Sequence, residues 1–280
     1  MAQHESGSSK SSEASGSPFR DNLFKGKVAV ITGGGSGINQ RIAERLAEQG
    51  ATVALIGRTQ AKLDAVSGGI LKSGGNAFGY AADVRDYDAL ERIMGEIHTV
   101  HGPISILVCG AAGNFPAAAA KMSANAFKSV VDIDLLGTFN SCRAAFEHLA
   151  KPGASIVNIS APQALQPLPM QSHVSAAKAG VDMLTRTLAL EWGRTGVRVN
   201  SLIPGAVSET EGMERLAPPG PMRDAVVKRL PLGRFATKDD IANFVIYLCS
   251  DAASYVTGSV MLCDGGLSIS GALYAVLEAR

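Results

Sequence analysis

Short runs of β-branched and aliphatic residues punctuate the chain at 27–32 (KVAVIT), 52–57 (TVALIG), 77–82, 104–109 (ISILVC), 155–160 (SIVNIS), 197–203 (VRVNSLI) and 259–263 (SVMLC). Between them the apolar period changes. Ile42, Leu46 and Ala47 fall on one helical face, as do Val181, Leu184 and Leu188, because residues three, four and seven apart share a side of a 3.6-residue turn. Strands apolar on both faces, alternating with helix-length segments, predict a parallel sheet covered by helices on both sides. Seven strands and about six helices make a single-domain, doubly wound α/β Rossmann fold. In such sheets ligands sit beyond the carboxyl ends of the strands.

Two segments stand outside that pattern, and a third breaks it from within. The first twenty residues hold seven serines and no apolar stretch, which predicts a disordered Ser-rich tail over 1–22 ahead of one domain over 23–280. APPGP at 217–221 reads as a surface loop. From 207 to 228 no steady period shows, and this stretch is expected to be a lid over substrate, ordered on binding. Near the end, Leu273, Ala275, Val276 and Leu277 are expected to form a contact between subunits.

Composition narrows the classes. With 46% hydrophobic and 18% charged residues, the chain has material for a large core. A net charge of +1 points to neither nucleic acid nor an acidic membrane. No apolar run approaches the roughly 20 residues of a spanning helix. Cys109, Cys142, Cys249 and Cys263 are widely spaced with no C-x-x-C pair, so they read as buried thiols, not as a disulfide frame or metal site. Lacking a secretion-signal apolar region and a terminal S-K-L-like tripeptide, the chain is expected in the cytoplasm.

Candidate chemistry begins directly after the first strand, at Thr32-Gly33-Gly34-Gly35-Ser36-Gly37-Ile38-Asn39, with a helical pattern from about Arg41. A tight strand-to-helix turn needs positive φ and close backbone approach, which glycine supplies. The helix start then offers free N–H groups to a pyrophosphate. A glycine cluster alone is weak evidence; one that opens a βαβ unit points to a dinucleotide. An acid ending the second strand would select NAD, but the strand ends Leu55-Ile56-Gly57-Arg58-Thr59. A guanidinium pairs with a 2′-phosphate, so NADP(H) is favoured over the plainer reading of a solvated arginine. Asp83 and Val84 are placed to meet the adenine, unless Asp83 merely caps a helix.

These residues, with Lys178, the segment Asn200-Ser201-Leu202-Ile203-Pro204-Gly205, Tyr255-Val256-Thr257-Gly258 and Asp264-Gly265-Gly266, resemble the short-chain dehydrogenase/reductase family from Phe24 to about Leu267. The departures are informative. The last glycine of the family's T-G-x-x-x-G-x-G pattern is Asn39 here, which implies a bound cofactor with altered helix–strand packing. The tyrosine of Y-x-x-x-K is Val174, the catalytic serine position is Ala161, and the fourth-helix asparagine is Asp134. A phenol therefore cannot protonate the product here. His173 lies five residues before Lys178, roughly 500° around a helix, and so off the lysine's face. It is not expected to touch substrate, while Ser160 and Ser175 are expected to serve packing.

This set of absences resembles one branch, the peroxisomal-type 2,4-dienoyl-CoA reductases. The resemblance rests on Ala111-Ala112-Gly113-Asn114-Phe115, Asn125-Ala126-Phe127-Lys128, Asp132-Ile133-Asp134, Gly137-Thr138-Phe139-Asn140, Ser208-Glu209-Thr210-Glu211-Gly212 and the segment of His173 with Ser175-Ala176-Ala177-Lys178-Ala179. The mitochondrial-type branch carries a tyrosine where this chain has Gln163. The resemblance implies NADPH-dependent reduction of a CoA thioester in unsaturated fatty acid β-oxidation, with Asp134 and Lys178 holding the water that protonates the α carbon. It implies cofactor contacts at Gly33, Gly34, Gly35, Ser36, Gly37, Ile38, Arg58, Asp83, Val84, Ala111, Lys178, Pro204, Gly205 and Thr210. It implies substrate contacts at Arg58, Arg85, Phe115, Ser123, Ala124, Asn125 and Arg215, oxyanion donors at Asn114 or the Phe115 backbone, and a homotetramer. Plainer readings make Asp134 a helix acid paired with a base, Lys178 a surface lysine and Arg215 a solvated arginine. Two rival functions remain: a reductase of another acyl thioester or carbonyl, and a non-catalytic NADP-binding protein.

Overall fold

The computed structural model describes residues 18–216 and 218–270. Its centre is a seven-stranded, wholly parallel sheet in the order β3-β2-β1-β4-β5-β6-β7. The strands are β1 Val28–Thr32, β2 Thr52–Gly57, β3 Asn76–Ala81, β4 Ile104–Cys109, β5 Ser155–Ile159, β6 Arg198–Pro204 and β7 Val260–Cys263. The order reverses between β1 and β4, where β1 pairs with both β2 and β4. Their carboxyl ends diverge there and leave a crevice.

Around the sheet lie α1 Gly37–Glu48, α2 Gln60–Lys72, α3 Tyr87–His101, α4 Ala124–Val131, α5 Gly137–Ala145, α6 Ser172–Trp192, α7 Glu211–Leu216, α8 Pro221–Arg229 and α9 Lys238–Cys249. Side chains alternate across a strand, and β1 divides accordingly. Ala29 and Ile31 join one core with Leu46 of α1, Leu63 of α2 and Val245 of α9. Val28 and Val30 join the other, with Met94 of α3, Cys142 of α5 and Trp192 of α6. Each fully buried aliphatic side chain contributes roughly 1.5–3 kcal/mol. The doubly wound fold read from the pattern is the one observed.

Three expectations change. Nine α-helices form among the described residues instead of about six, and two of them, α7 and α8, lie in the stretch read as an aperiodic lid. Pro221 opens α8, where its missing N–H costs nothing. The domain also begins earlier than residue 23, because Phe19 packs against the first core. Finally, only Cys109 and Cys142 are buried, whereas Cys249 and Cys263 are half-buried. The rest of the tail and the apolar positions Leu273, Ala275, Val276 and Leu277 lie outside the described residues. None of the described helices is long and apolar enough to cross a membrane.

Candidate active site

Gly33 turns out of β1 at φ +70°, and a Cβ on it would come within 2.9 Å of the Ala111 backbone. The glycine loop is thereby pressed against the end of β4. Ser36 precedes α1 without its side chain capping the helix, so the first N–H groups stay available to an anion. A cleft of about 260 Å³ opens above this point. Gly33, Gly35, Ser36, Arg58, Asp83, Val84 and Ala111 line it together. Asn39, Thr59, Lys62, Leu63 and Ile133 line it as well. Lys62 was not anticipated, although its place one turn into α2, four residues after Arg58, was a usable signal.

The remaining expected cofactor residues sit elsewhere. A Cβ on Gly34 would strike Leu55, so this glycine faces the sheet. Ile38 packs against the first core. Pro204 ends β6, and a Cβ on Gly205 would lie 2.6 Å from Asp264 Cα. Thr210 accepts from the Met213 N–H at 3.3 Å, and its hydroxyl donates to the Val207 carbonyl.

Asn39 is helical, so no unusual φ is required of it. Its carboxamide instead donates to the Gly110 carbonyl at 2.8 Å and to the Gly33 carbonyl at 3.4 Å. A Cβ on Gly110 would overlap that carboxamide, with Asn39 Cγ only 2.5 Å away. The altered packing implied for Asn39 is therefore concrete: the side chain ties the glycine loop to the end of β4, and a glycine across from it makes the room.

Charges around the cleft favour an anion. Arg85 donates to Asp83 through its guanidinium at 2.9 and 2.6 Å and through its backbone N–H at 3.0 Å. This hydrogen bonding holds the Asp83 carboxyl below the usual aspartate range, with Arg58 adding a smaller pull. Arg85 thus braces Asp83, and its side chain remains exposed beside the cleft.

The second centre lies beyond β4. The helix that carries α4 and α5 is continuous through a π-helical turn at Asp132–Leu136. Such a turn holds an extra residue and recurs at functional sites. Asp134 sits within it, 1% exposed. Its Oδ1 accepts the Gly113 N–H at 2.7 Å, and Lys178 Nζ lies 3.3 Å from its Oδ2. That second approach is an ion pair by distance without hydrogen-bond alignment, so Oδ2 keeps its lone pairs. Lys178, 4% exposed, donates to the Ile159 carbonyl at 2.9 Å. Burial rules out the surface-lysine reading. Burying two charges costs several kcal/mol apiece unless they are paired and hydrogen-bonded, and here each charge has both.

Ser123 accepts the Ala126 N–H at 3.1 Å and so caps α4, with Ala124 and Asn125 exposed in the first turn. Arg215 belongs to α7, and its side chain lies outside the described residues. The Phe115 ring stands 4.5 Å from the ring of His173, which is fully buried. The loop that carries Phe115 covers the first turn of α6 at this point. Val174 and Ser160 are buried too, the latter against Asp182, whose carboxyl burial pushes upward. Beneath the site Cys109 and Cys142 lie 3.7 Å apart, and that contact with burial raises the Cys109 thiol well above its ordinary value. No cluster of metal-binding side chains occurs among the described residues.

Comparison with known proteins agrees with this geometry. Residues 33–268 match the family described as enoyl-(acyl carrier protein) reductase. A peroxisomal 2,4-dienoyl-CoA reductase, (3E)-enoyl-CoA-producing, of Arabidopsis thaliana is 41% identical over 273 residues, covering 94% of this chain and 91% of that one. The Rattus norvegicus protein of the same name is 44% identical over 252 residues, covering 89% and 86%. Among solved structures, a gluconate 5-dehydrogenase of Burkholderia cenocepacia in complex with NADP and tartrate superposes with a TM-score of 0.83 at 30% identity, over 89% of this chain and 98% of that one. A parallel sheet of this order, a glycine loop at its switch point and relatives of this likeness over nearly the whole chain place the protein in the short-chain dehydrogenase/reductase family.

Proposed function

We propose that this chain is an NADPH-dependent 2,4-dienoyl-CoA reductase that yields the 3-enoyl thioester. One observation carries the reading: a buried Asp134–Lys178 pair stands beside a helix that offers Val174 where the family's phenol would be. The cleft fits the cofactor, with a backbone approach that a Cβ would fill at Gly33, free N–H groups at α1 and two cations, Arg58 and Lys62. Arg58 and Lys62 take the 2′-phosphate, while Lys178 holds the nicotinamide ribose hydroxyls. When bound, NADPH supplies the hydride.

A conjugated dienoyl thioester accepts that hydride at its δ carbon and moves the electron pair onto the thioester oxygen. The product then needs a proton on the α carbon, where a phenol aimed at an alkoxide is of no use. Asp134 Oδ2 and the Lys178 ammonium bracket a water, the carboxylate accepting one of its protons and the ammonium donating to its oxygen. The other proton goes to the α carbon; the hydroxide left behind takes a proton from the Lys178 ammonium beside it, and the amine regains one from solvent when the product leaves. Gly113, donating to Oδ1, fixes the carboxylate plane. The CoA phosphates meet Arg215, and Phe115 and Asn125 border the acyl chain. Phe127 of α4, Leu136 of the π-helical turn and Phe139 of α5, all exposed, form the face of a homo-oligomer.

Mixing the protein with NADPH and 2,4-hexadienoyl-CoA tests the reading. Loss of nicotinamide absorbance with a 3-enoyl product, deuterated at the α carbon in D2O, is expected. Tight NADPH binding without turnover, or turnover of ketones alone, contradicts it. The relatives above are named peroxisomal, and imaging of a tagged chain decides the compartment of this one.

A further inference from the structure

One buried ring near the pair has no part in the steps above. His173, in the first turn of α6, is fully enclosed, and neither ring nitrogen has a hydrogen-bond partner among the described residues. An unpaired buried donor or acceptor has lost its hydration with no hydrogen bond in exchange. Two on one ring, kept by a fold, call for a ligand that completes them. Its neighbourhood repeats the theme: both amide atoms of Gln171, 1% exposed, are unpaired, and so is Gln163 Oε1. Deeper in the domain polar side chains are matched, as Asn158 is to Thr185 at 2.9 Å and Asn200 to the Val256 carbonyl at 2.9 Å. The unmatched groups gather on the side of the chemistry.

A single loop connects this ring to the carboxylate. Gly113 donates to Asp134, two residues later the Phe115 ring lies on His173 at 53° and 4.5 Å, and Ala117 donates to the Met170 carbonyl at 2.9 Å. Gly113 and Phe115 are at most about 7 Å apart along the chain. A short fragment of substrate spans that interval: the α carbon facing the Asp134 end, and the carbonyl of the adjacent carbon facing the histidine end. Two side chains that the family would turn to this oxygen are gone, and a third is engaged. Val174 and Ala161 carry no donor, and Lys178 is tied to Ile159 and Asp134.

We propose that His173 donates a hydrogen bond to the thioester carbonyl oxygen and stabilises the negative charge that reaches it when hydride arrives. The inference rests on the dienoyl-thioester reading. No bond to His173 is made or broken: its proton stays on the ring, and the proton that ends on the α carbon comes from water. Phe115, tilted at 53° against the ring, holds the imidazole in place, so the donor is set before the charge develops, which is what makes such a group effective.

The test uses the full chain and two variants. His173→Phe keeps a ring against Phe115 without a donor, and His173→Gln restores one. With saturating NADPH and 2,4-hexadienoyl-CoA, His173→Phe lowers kcat about 100-fold, while KM and the NADPH Kd stay within about threefold of the unmodified protein. His173→Gln recovers about tenfold of that loss. A folded His173→Phe variant with kcat within threefold of the parent overturns the proposal, as does a glutamine variant no faster than the phenylalanine one. A second readout does not depend on either variant folding. The carbonyl stretch of hexanoyl-CoA, labelled with ¹³C at its thioester carbon, moves to lower frequency on binding the parent protein with NADP⁺. An unmoved band also overturns the proposal. Absence of dienoyl turnover by the parent protein defeats the reading of the reaction; turnover that ignores His173 defeats this inference alone.

Discussion

Around the glycine loop, the polar side chains face solvent or one another: Arg58 and Lys62 are exposed along the cleft, and Arg85 clasps Asp83. Around the π-helical turn they are sealed in, with Asp134 and Lys178 almost without exposure and His173 and Gln171 short of partners. The two regions lie on either side of one strand end, Cys109 of β4, with Gly110 and Ala111 touching the first and Gly113 the second. On the proposed function the difference follows from their tasks. An exposed cleft selects a charged cofactor by attraction that salt and solvent moderate. A buried pair holds charge where it acts strongly and needs no rearrangement when the reaction comes.

If that contrast is right, substitutions on the buried side should strike rate and those on the open side should strike binding. Lys178→Ala has the largest expected effect, a fall in kcat/KM of about 1,000-fold, read by steady-state kinetics. Arg58→Ala should raise the Kd for NADPH about 10- to 100-fold, as loss of a charge-assisted hydrogen bond does, while the Kd for NADH barely moves. Equal loss for both cofactors would blur the comparison. Gly110→Ala places a methyl group on the Asn39 carboxamide and should cost about 1–3 kcal/mol of stability, measured by chemical denaturation. Adding Asn39→Gly should return most of it, a coupling expected of residues in contact.

The smallest expected effect concerns pH. The Asp83 carboxyl is held below its unfolded value by Arg85, so the folded state binds a proton there less readily than the unfolded one. The stability this gives is present above about pH 4, the ordinary aspartate value, and disappears as pH falls through the depressed one. Asp83 is partly exposed, which limits the pair to about 0.5 kcal/mol. Arg85→Ala should therefore lower Tm by roughly 1–2 °C near neutrality and leave it unchanged in strong acid.

The sheet was legible in the sequence because its strands are buried on both faces. β2 matches the run at 52–57, β1 and β6 begin one residue after theirs, and β6 ends one later. The cofactor cleft was legible because glycines and an arginine stand at fixed offsets from strand ends. What escaped was long-range or covered on two sides. Nothing local marks Asn39 for a contact with Gly110, 71 residues away. A π-helical turn inserts one residue without a sequence signature, yet it is where Asp134 sits. His173 was set aside because the wheel puts it off the lysine's face, and nothing local shows that the loop carrying Phe115 covers it. α7 and α8 went unread because each is short and lacks a clear apolar stripe. Asp134 and Lys178 were reached through resemblance, and the geometry then joined them.

The central claim is that a carboxylate–lysine pair does the work of the absent phenol, and Asp134→Asn tests it most directly, since the side chain keeps its size and loses its charge. With 2,4-hexadienoyl-CoA and NADPH the account predicts a fall in kcat of about 100-fold and an NADPH Kd within about threefold of the parent protein. A variant that is folded, binds NADPH and reduces the dienoyl thioester at the parent rate would contradict it.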